Sequence, residues 1–526
     1  MSRPAEIVVF ACNWDGLSCV EAAARAGLRY PASVRLVRAG CLSRIHSGLM
    51  LRAFELGAEG VMLLGCEPGK CHFDTDAGYI AQEFGKARGV LRLLGLGENR
   101  LLLTQMPPGN GRGLVEKLDS FVAEIGEMPA VDPAVAPATE ADKPRIEREI
   151  MDTGIRLCLD CGKCTVVCPV AQYDPQFNPR LAVQRELGQN SQGTEDKTIW
   201  SCVNCHVCVE RCNYHVKFPE FVRALRHRAL TRGAQLQCSH GGSLQAMMHM
   251  MALPDLRQER LNWLPPDVEL SEGSDTLFFV GCAPYFDVLF SHLEMNTVDG
   301  AKASLRLLQH ARIPFNVLAS ERCCGRDLLL AGDRQGFVAL AKANKEEFAR
   351  RGIKKIIASC SECFHTLKVD YPAALGDTGI EVLHLTEVIA PLVEKGKLRP
   401  GKLVKKATYH DPCTLGRCAR IFDQPRRILD AVQGLERLEM EQNREMALCC
   451  GASPWAHCGA VNRQIQGQRL AQAEATGADA LVVACPKCHI HLRCAQKGKG
   501  PVSRIEILDL ASLVARTLNL GGEPVG

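Results

Sequence analysis

Two stretches of this chain set cysteines side by side: ERCCGRDLLL at 321–330 and ALCCGASPWA at 447–456, the second pair 126 residues after the first. A disulfide between neighbours is strained, and two unprotected thiols invite oxidation, so the pattern points to sulfurs held by metal. Two further stretches say which metal chemistry. LCLDCGKCTVVCPV carries Cys158, Cys161, Cys164 and Cys168, and SCVNCHVCVERCN carries Cys202, Cys205, Cys208 and Cys212. Both have the spacing C-x2-C-x2-C-x3-C, in which three thiolates wrap one [4Fe–4S] cubane and the fourth reaches the other cluster of a pair. The expected sets are therefore Cys158, Cys161, Cys164 and Cys212 for one cubane, and Cys202, Cys205, Cys208 and Cys168 for the other. Zinc knuckles pair two separated C-x2-C units and do not place four cysteines in one loop. Asn213 stands where a proline is expected after Cys212, which removes no ligand.

The adjacent pairs belong to larger sets. The first has Cys282, then Cys323 and Cys324, then Cys360 and Cys363; the second has Cys413, then Cys449 and Cys450, then Cys485 and Cys488. Each set gathers five thiols, where a cubane needs one terminal thiolate per iron. The fifth sulfur is surplus unless the cluster is not a simple cube; the alternative is a cubane in one set and spare structural cysteines in the other.

Length and composition set the bounds. A chain of 526 residues suggests three or four domains. It is 46% hydrophobic, 23% charged and 5% aromatic, with a net charge of +4 that makes no case for nucleic acid or an anionic membrane as partner. Its 27 cysteines in a long chain read as metal ligands or redox groups and not as disulfide staples. The start MSRPAEIVVFACNWDG has neither the basic segment nor the apolar core of a secretion signal, and no apolar run is long enough to span a bilayer. The expected compartment is the cytoplasm of an anaerobe or microaerophile.

The elements that must position these thiols follow from periodicity. Residues 1–127 alternate strand-like runs (EIVVFAC, VRLVRAGC, GVMLLGC, RLLLTQM) with amphipathic helices, the pattern of a doubly wound, mostly parallel sheet. Three of these runs end in Cys12, Cys41 and Cys66, at the carboxyl ends of strands where ligands of open α/β sheets sit. Residues 128–144 read as a Pro/Ala linker, 145–230 as helices around two cysteine-dense loops, and 231–273 as a connector with one helix. Strand–helix alternation resumes over 274–398, where FNVLA is among the expected strands, and again over 399–526. The two rounds, each about 125 residues, read as a duplication. No dinucleotide fingerprint or P-loop is present, so no FAD or NAD is expected on this chain.

The two rounds resemble the CCG domains of the catalytic subunit of heterodisulfide reductase, and all ten cysteine positions are present. The resemblance implies two non-cubane [4Fe–4S] clusters facing one another, with Gly325 and Gly451 letting the backbone approach the inorganic core. The module at 145–230 resembles the small ferredoxin-like electron-transfer subunit of the same enzyme. The stretches FACNW, RAGC and EGVMLLGCEPGKCHF resemble the delta subunit of methyl-viologen-reducing hydrogenase. That implies a flavodoxin-like domain with a [2Fe–2S] cluster on Cys12, Cys41, Cys66 and Cys71. The second cysteine usual in that family is replaced by Asp15, itself a possible ligand, and Cys19 is expected in the core. The implied fold is multidomain α/β: a doubly wound [2Fe–2S] head, a helical ferredoxin-like domain with two [4Fe–4S] cubanes, and duplicated CCG domains.

The implied function is an electron-transferring component of a cytosolic, flavin-based bifurcating complex that resembles heterodisulfide reductase. Its implied partners are a flavin-containing reductase subunit and a hydrogenase, formate dehydrogenase or other oxidoreductase. Two alternatives stay open: a non-catalytic component feeding a methylenetetrahydrofolate- or acyl-CoA-reducing partner, or the iron–sulfur component of 2-hydroxy acid or glycerol-3-phosphate oxidation. Cys238, Cys418, Cys458 and Cys494 lie off the pattern and default to structural thiols. His410, His457, His489 and His491 are expected to donate to cluster sulfurs, to relay a proton or to be structural, and Lys487 to offset cluster charge or to be solvated.

Overall fold

The computed structural model describes residues 5–73, 77–131, 143–188, 197–254, 256–451, 454–498 and 503–520. Of the linker read over 128–144, residues 132–142 lie outside this range. The chain forms two compact units: 1–135 with 240–260, and 136–239 with 261–526.

In the first unit β1 (Ile7–Cys12), β2 (Val34–Ala39), β3 (Gly60–Gly65) and β4 (Leu101–Gln105) form one sheet in the order β2-β1-β3-β4, with every pairing parallel. Alternation along β1 sends Ile7, Val9 and Ala11 to one face. There they pack with Met62 and Leu64 of β3 and with Leu114, Leu118, Phe121 and Ile125 of the helix Gly111–Gly126. Each fully buried side chain of this size contributes about 1.5–3 kcal/mol. The helix Asp15–Arg25 packs beside it so closely that a Cβ on Gly111 would sit 2.3 Å from the Ala23 backbone nitrogen.

The connector read over 231–273 is divided by the fold. Residues 240–260 return to the first unit, where the helix Ser243–Met250 lies against Ser47–Glu55. The reason is polar as well as apolar: the Ser47 and Ser243 hydroxyls are 3.0 Å apart, and His249 Nδ1 is 2.7 Å from Glu55 Oε1. The backbone of Glu259 donates to the Leu93 carbonyl at 2.9 Å.

In the second unit, the helices Lys143–Asp152, Pro179–Leu187 and Phe218–Thr231 frame the two cysteine loops. Two parallel sheets follow: β5 (Thr276–Phe279), β6 (Lys355–Ala358) and β7 (Glu381–His384) in the order β5-β6-β7, then β8 (Lys402–Tyr409), β9 (Gln433–Leu438), β10 (Ala480–Val483) and β11 (Glu506–Asp509) in the order β11-β10-β8-β9. The run FNVLA forms only a bridge, Leu277 with Asn316, where β9 stands in the other sheet. Each half packs a helix on the other: Val298–His310 lies on Leu510–Thr517, and Leu385–Glu394 on Asp423–Asp430.

Gly111→Leu should force the helices Asp15–Arg25 and Gly111–Gly126 apart. The expected cost is on the order of 1–3 kcal/mol, read as a lowered midpoint in thermal unfolding followed by circular dichroism.

Candidate iron–sulfur sites

In the first unit two strand ends bring thiols together. Cys12 closes β1 and Cys66 follows β3, and their sulfurs are 3.7 Å apart. Two thiolates on one tetrahedral metal with bonds of about 2.3 Å lie ~3.8 Å apart, so this pair fits a shared iron. The Gly16 backbone N–H donates to Cys12 Sγ at 3.2 Å. Gly16 cannot carry a side chain, because its Cβ would meet the Leu64 carbonyl at 2.6 Å. Burial and the neighbouring Cys12 push the Cys66 thiol up to about 12, against a hydrogen bond from the Asp15 backbone.

Cys41 lies two residues past β2 and accepts from the Ser43 hydroxyl at 3.2 Å. Cys71 ends the turn after Cys66, beside His72, whose ring stacks on Trp14 at 3.6 Å. Cys19 is fully buried in the helix core and donates to the Pro107 carbonyl at 3.3 Å.

In the second unit, Cys158, Cys161, Cys164 and Cys212 line one cavity of about 110 Å³, walled by Val183, Val216 and Phe218. Cys208 also reaches its edge. Cys168, Cys202 and Cys205 are buried with Cys208, and each raises the proton affinity of the Cys208 thiol, which burial itself raises most.

The two loops share an unusual backbone. Asp160 and Gly162 in the first, and Asn204 and His206 in the second, hold the left-handed conformation with φ of 57°, 77°, 50° and 62°. They flank the second cysteine of each run, so both loops curl around their sulfurs in the same way. Residue types that tolerate or favour positive φ (Asp, Gly, Asn and His) occupy all four positions; that was the signal available in the sequence.

The ten thiols of the two five-cysteine sets follow one another as a single line of neighbouring side chains. In the first half it runs Cys282, Cys323, Cys324, Cys363, Cys360, and in the second Cys413, Cys449, Cys450, Cys488, Cys485. Cys360 and Cys485 join the two. Those two cysteines lie two residues past the ends of β6 and β10 and open the helices Ser361–His365 and Pro486–Gln496. A side chain on Gly281 (φ 64°) would meet Cys363 Sγ at 2.8 Å.

Gly325 and Gly451 are left-handed too, with φ of 81° and 89°. What crowds them are the helices Arg334–Arg350 and Ala460–Glu474: a Cβ would meet Phe337 and the Asn462 carbonyl, each at 2.9 Å.

Several groups that brace the line escaped the sequence reading. Glu321, fully buried, accepts from the backbone of Val280 at 3.3 Å and Gly281 at 2.8 Å, holding the strand end before Cys282. Asn344 accepts from Arg322 N at 2.8 Å and donates to the Cys323 carbonyl at 3.2 Å and to Tyr371 Oη at 2.9 Å. Asn462 donates to the Gly451 carbonyl at 2.6 Å. Asn344 and Asn462 are each one polar residue in a helix and Glu321 sits in a loop, and sequence alone distinguishes none of them from a surface position.

Two buried arginines were also missed. Arg226 donates to the carbonyls of Cys202 (2.7 Å) and Leu330 (2.7 Å), and Arg417 to those of Cys205 (2.6 Å) and Ala447 (2.7 Å). They tie the cysteine loop to both CCG halves. A cavity of about 260 Å³ has both Cys205 and Cys449 in its wall, with Arg417 beside them.

Lys487 is 3% exposed, ion-paired with Asp327 and with Glu362 at 3.1 Å, and its ammonium is 5.1 Å from the Trp455 ring centre. It is a buried cation and not a solvated one. Burial pushes the Glu362 carboxyl up to about 7.

Of the four histidines, His491 Nδ1 lies 3.4 Å from Cys450 Sγ. His410, Cys450 and Cys488 have ligand atoms within 4.8 Å of one another, and His410 Nδ1 accepts from Arg469 at 3.0 Å. Burial lowers the pKa of His457 and of His489; His489 lines a cavity of about 680 Å³ with Arg493 and Asp509.

Comparison with known proteins finds matches to three family profiles. The family profile of methyl-viologen-reducing hydrogenase, delta subunit, matches residues 7–129. The 4Fe-4S dicluster domain matches 154–216, and the cysteine-rich CCG domain matches twice, at 276–368 and 407–493. The chain is 30% identical over 396 residues to one polypeptide of the dihydromethanophenazine:CoB–CoM heterodisulfide reductase of Methanosarcina barkeri, covering 69% of this chain and 94% of that one. It is 27% identical over 426 residues to the EtfAB:quinone oxidoreductase of Syntrophomonas wolfei, covering 69% and 58%. It is also 26% identical over 384 residues to one polypeptide of the fumarate reductase (CoM/CoB) of Methanothermobacter marburgensis, covering 68% and 72%.

Asn344→Ala would leave the Arg322 amide, the Cys323 carbonyl and the Tyr371 hydroxyl short of a partner inside the protein. The expected destabilisation is about 1–3 kcal/mol. Anaerobic iron analysis should find up to about four irons lost per chain while the cubane signals persist; unchanged iron and melting would refute the bracing role.

Proposed function

This chain belongs to the family of the Methanosarcina heterodisulfide reductase polypeptide, fused to a hydrogenase delta-type domain, and we propose that it carries electrons from that head to a disulfide-reducing centre. It is an iron–sulfur protein related to electron-transferring oxidoreductases. Among the described residues no helix is long and apolar enough to cross a membrane.

The observation that carries the reading is the unbroken line of ten thiols joined at Cys360 and Cys485. In the proposed assignment each five-cysteine set holds one non-cubane [4Fe–4S] cluster. Cys158, Cys161, Cys164 and Cys212 hold one cubane, and Cys168, Cys202, Cys205 and Cys208 the other. Cys12, Cys41, Cys66 and Cys71 hold a [2Fe–2S] cluster. When bound, such clusters supply one-electron carriers, and two adjacent ones match the two electrons of the reaction RSSR + 2e⁻ + 2H⁺ → 2 RSH.

The chain's own residues prepare that site. Arg226 and Arg417 hold the loop of Cys202 and Cys205 against both halves, and the wall shared by Cys205 and Cys449 supports entry through the second half. Lys487, between Cys485 and Cys488, keeps positive charge buried where the halves meet, and Asp327 and Glu362 hold it in place. Trp455 closes the wall beside it, its ring edge-on to His491 at 4.6 Å.

The proposed partners are a flavin-bearing reductase and an input enzyme such as a hydrogenase or formate dehydrogenase, with electron bifurcation at the flavin. A second reading, an electron-transfer component with no disulfide substrate of its own, draws support from the likeness to EtfAB:quinone oxidoreductase.

Anaerobically purified protein should hold roughly eighteen irons per chain, for one two-iron and four four-iron centres. Cys449→Ala should abolish reduction of the disulfide by a supplied electron donor while both cubanes still titrate in low-temperature paramagnetic resonance. Retained disulfide reduction in that variant, or iron far below this count, would overturn the assignment.

A further inference from the structure

Two cysteines outside every proposed ligand set meet one another. Cys458 and Cys494 are neighbouring thiols that act on one another's proton affinity, neither is in a disulfide, and both are partly exposed. They come together because the helices Ala460–Glu474 and Pro486–Gln496 pack side by side.

Their placement is asymmetric. Cys458 immediately precedes Gly459, the N-cap of a fifteen-residue helix, so it sits at the positive end of that helix dipole. Cys494 lies in the last turn of its own helix, at the negative end. A thiol at a helix N-terminus beside a basic residue is the one activated for attack. In agreement, the neighbouring Cys494 thiol and the charge of Arg463 bring Cys458 down to about 7, while the same neighbour relation pushes Cys494 up.

We propose that Cys458 and Cys494 form a thiol–disulfide exchange site for small-molecule disulfides, with Cys458 the attacking thiol and Cys494 the resolving one. The Cys458 thiolate attacks one sulfur of a disulfide RSSR; that S–S bond breaks and RS⁻ leaves. Cys494 then gives up its proton and attacks the mixed disulfide at Cys458 Sγ, releasing the second RS⁻. In balance, RSSR takes two electrons and two protons and becomes two RSH, and the protein dithiol becomes a disulfide. No metal enters this step, so it stands apart from the cluster assignment. The bond would tether residues 454–458, and with them Trp455 against Lys487 and His491, to the helix that supplies Cys488.

The test uses the full chain, purified without oxygen, incubated with oxidised glutathione, alkylated, digested and mapped by mass spectrometry. The expected result is a linked pair of peptides carrying Cys458 and Cys494, with iron content and visible absorption unchanged. Cys458→Ser should abolish the link and leave Cys494 fully alkylated. Cys494→Ser should trap glutathione on Cys458, and Cys418→Ser should leave the link intact. Recovery of both cysteines as alkylated free thiols in the unaltered chain would overturn the proposal, as would glutathione spread over the cysteines with no preference for Cys458.

Discussion

Ten sulfurs in contact inside a protein set the terms for the C-terminal half. Two thiolates about 4 Å apart repel by ~4 kcal/mol at an effective dielectric near 20, so a row of ten anions would cost far more than a domain's stability of about 5–15 kcal/mol. Neighbouring thiols, burial and mutual repulsion hold Cys323, Cys324, Cys360, Cys363, Cys413, Cys449 and Cys488 toward the protonated form, while Cys485 is pushed the other way by the donors around it. The deprotonated row is tenable only when metal charge replaces the lost protons, which couples cluster loading to proton release. Arg417, buried beside Cys413 and Cys449, supplies part of the compensating charge from inside the fold.

The sulfurs are brought to that line by a repeated local device, a short parallel strand that stops and delivers a cysteine at or just past its carboxyl end. β1, β2 and β3 do this in the first unit, and β6 and β10 in the second. The cysteine-dense loops of 158–168 and 202–212 use another device, paired left-handed residues around the middle cysteine. One depends on strand order and the other on single backbone dihedrals, so sheet-disrupting and loop-straining substitutions affect different sites.

This division explains how much could be read beforehand. Ligand candidates were legible because cysteine spacing is a local code, and the parallel sheets were legible because short apolar runs alternate with helices. FNVLA misled because its composition suits a strand, while its place in the sheet grants one bridge at Asn316. The return of 240–260 to the first unit was invisible, since Ser47 with Ser243 and Glu55 with His249 are pairings across nearly two hundred residues. Arg226 and Arg417 were missed for a related reason: an arginine aimed at backbone carbonyls leaves no complementary residue type to find.

The crossed helices of the second unit carry a consequence of their own. Because Val298–His310 rests on Leu510–Thr517, and Leu385–Glu394 on Asp423–Asp430, cutting the chain near residue 400 would strip an apolar face from both fragments. The duplication has therefore become an obligate pairing. Chain emerging during synthesis must wait for its last helix before the first half can bury its surface, and a fault in either repeat is felt by both.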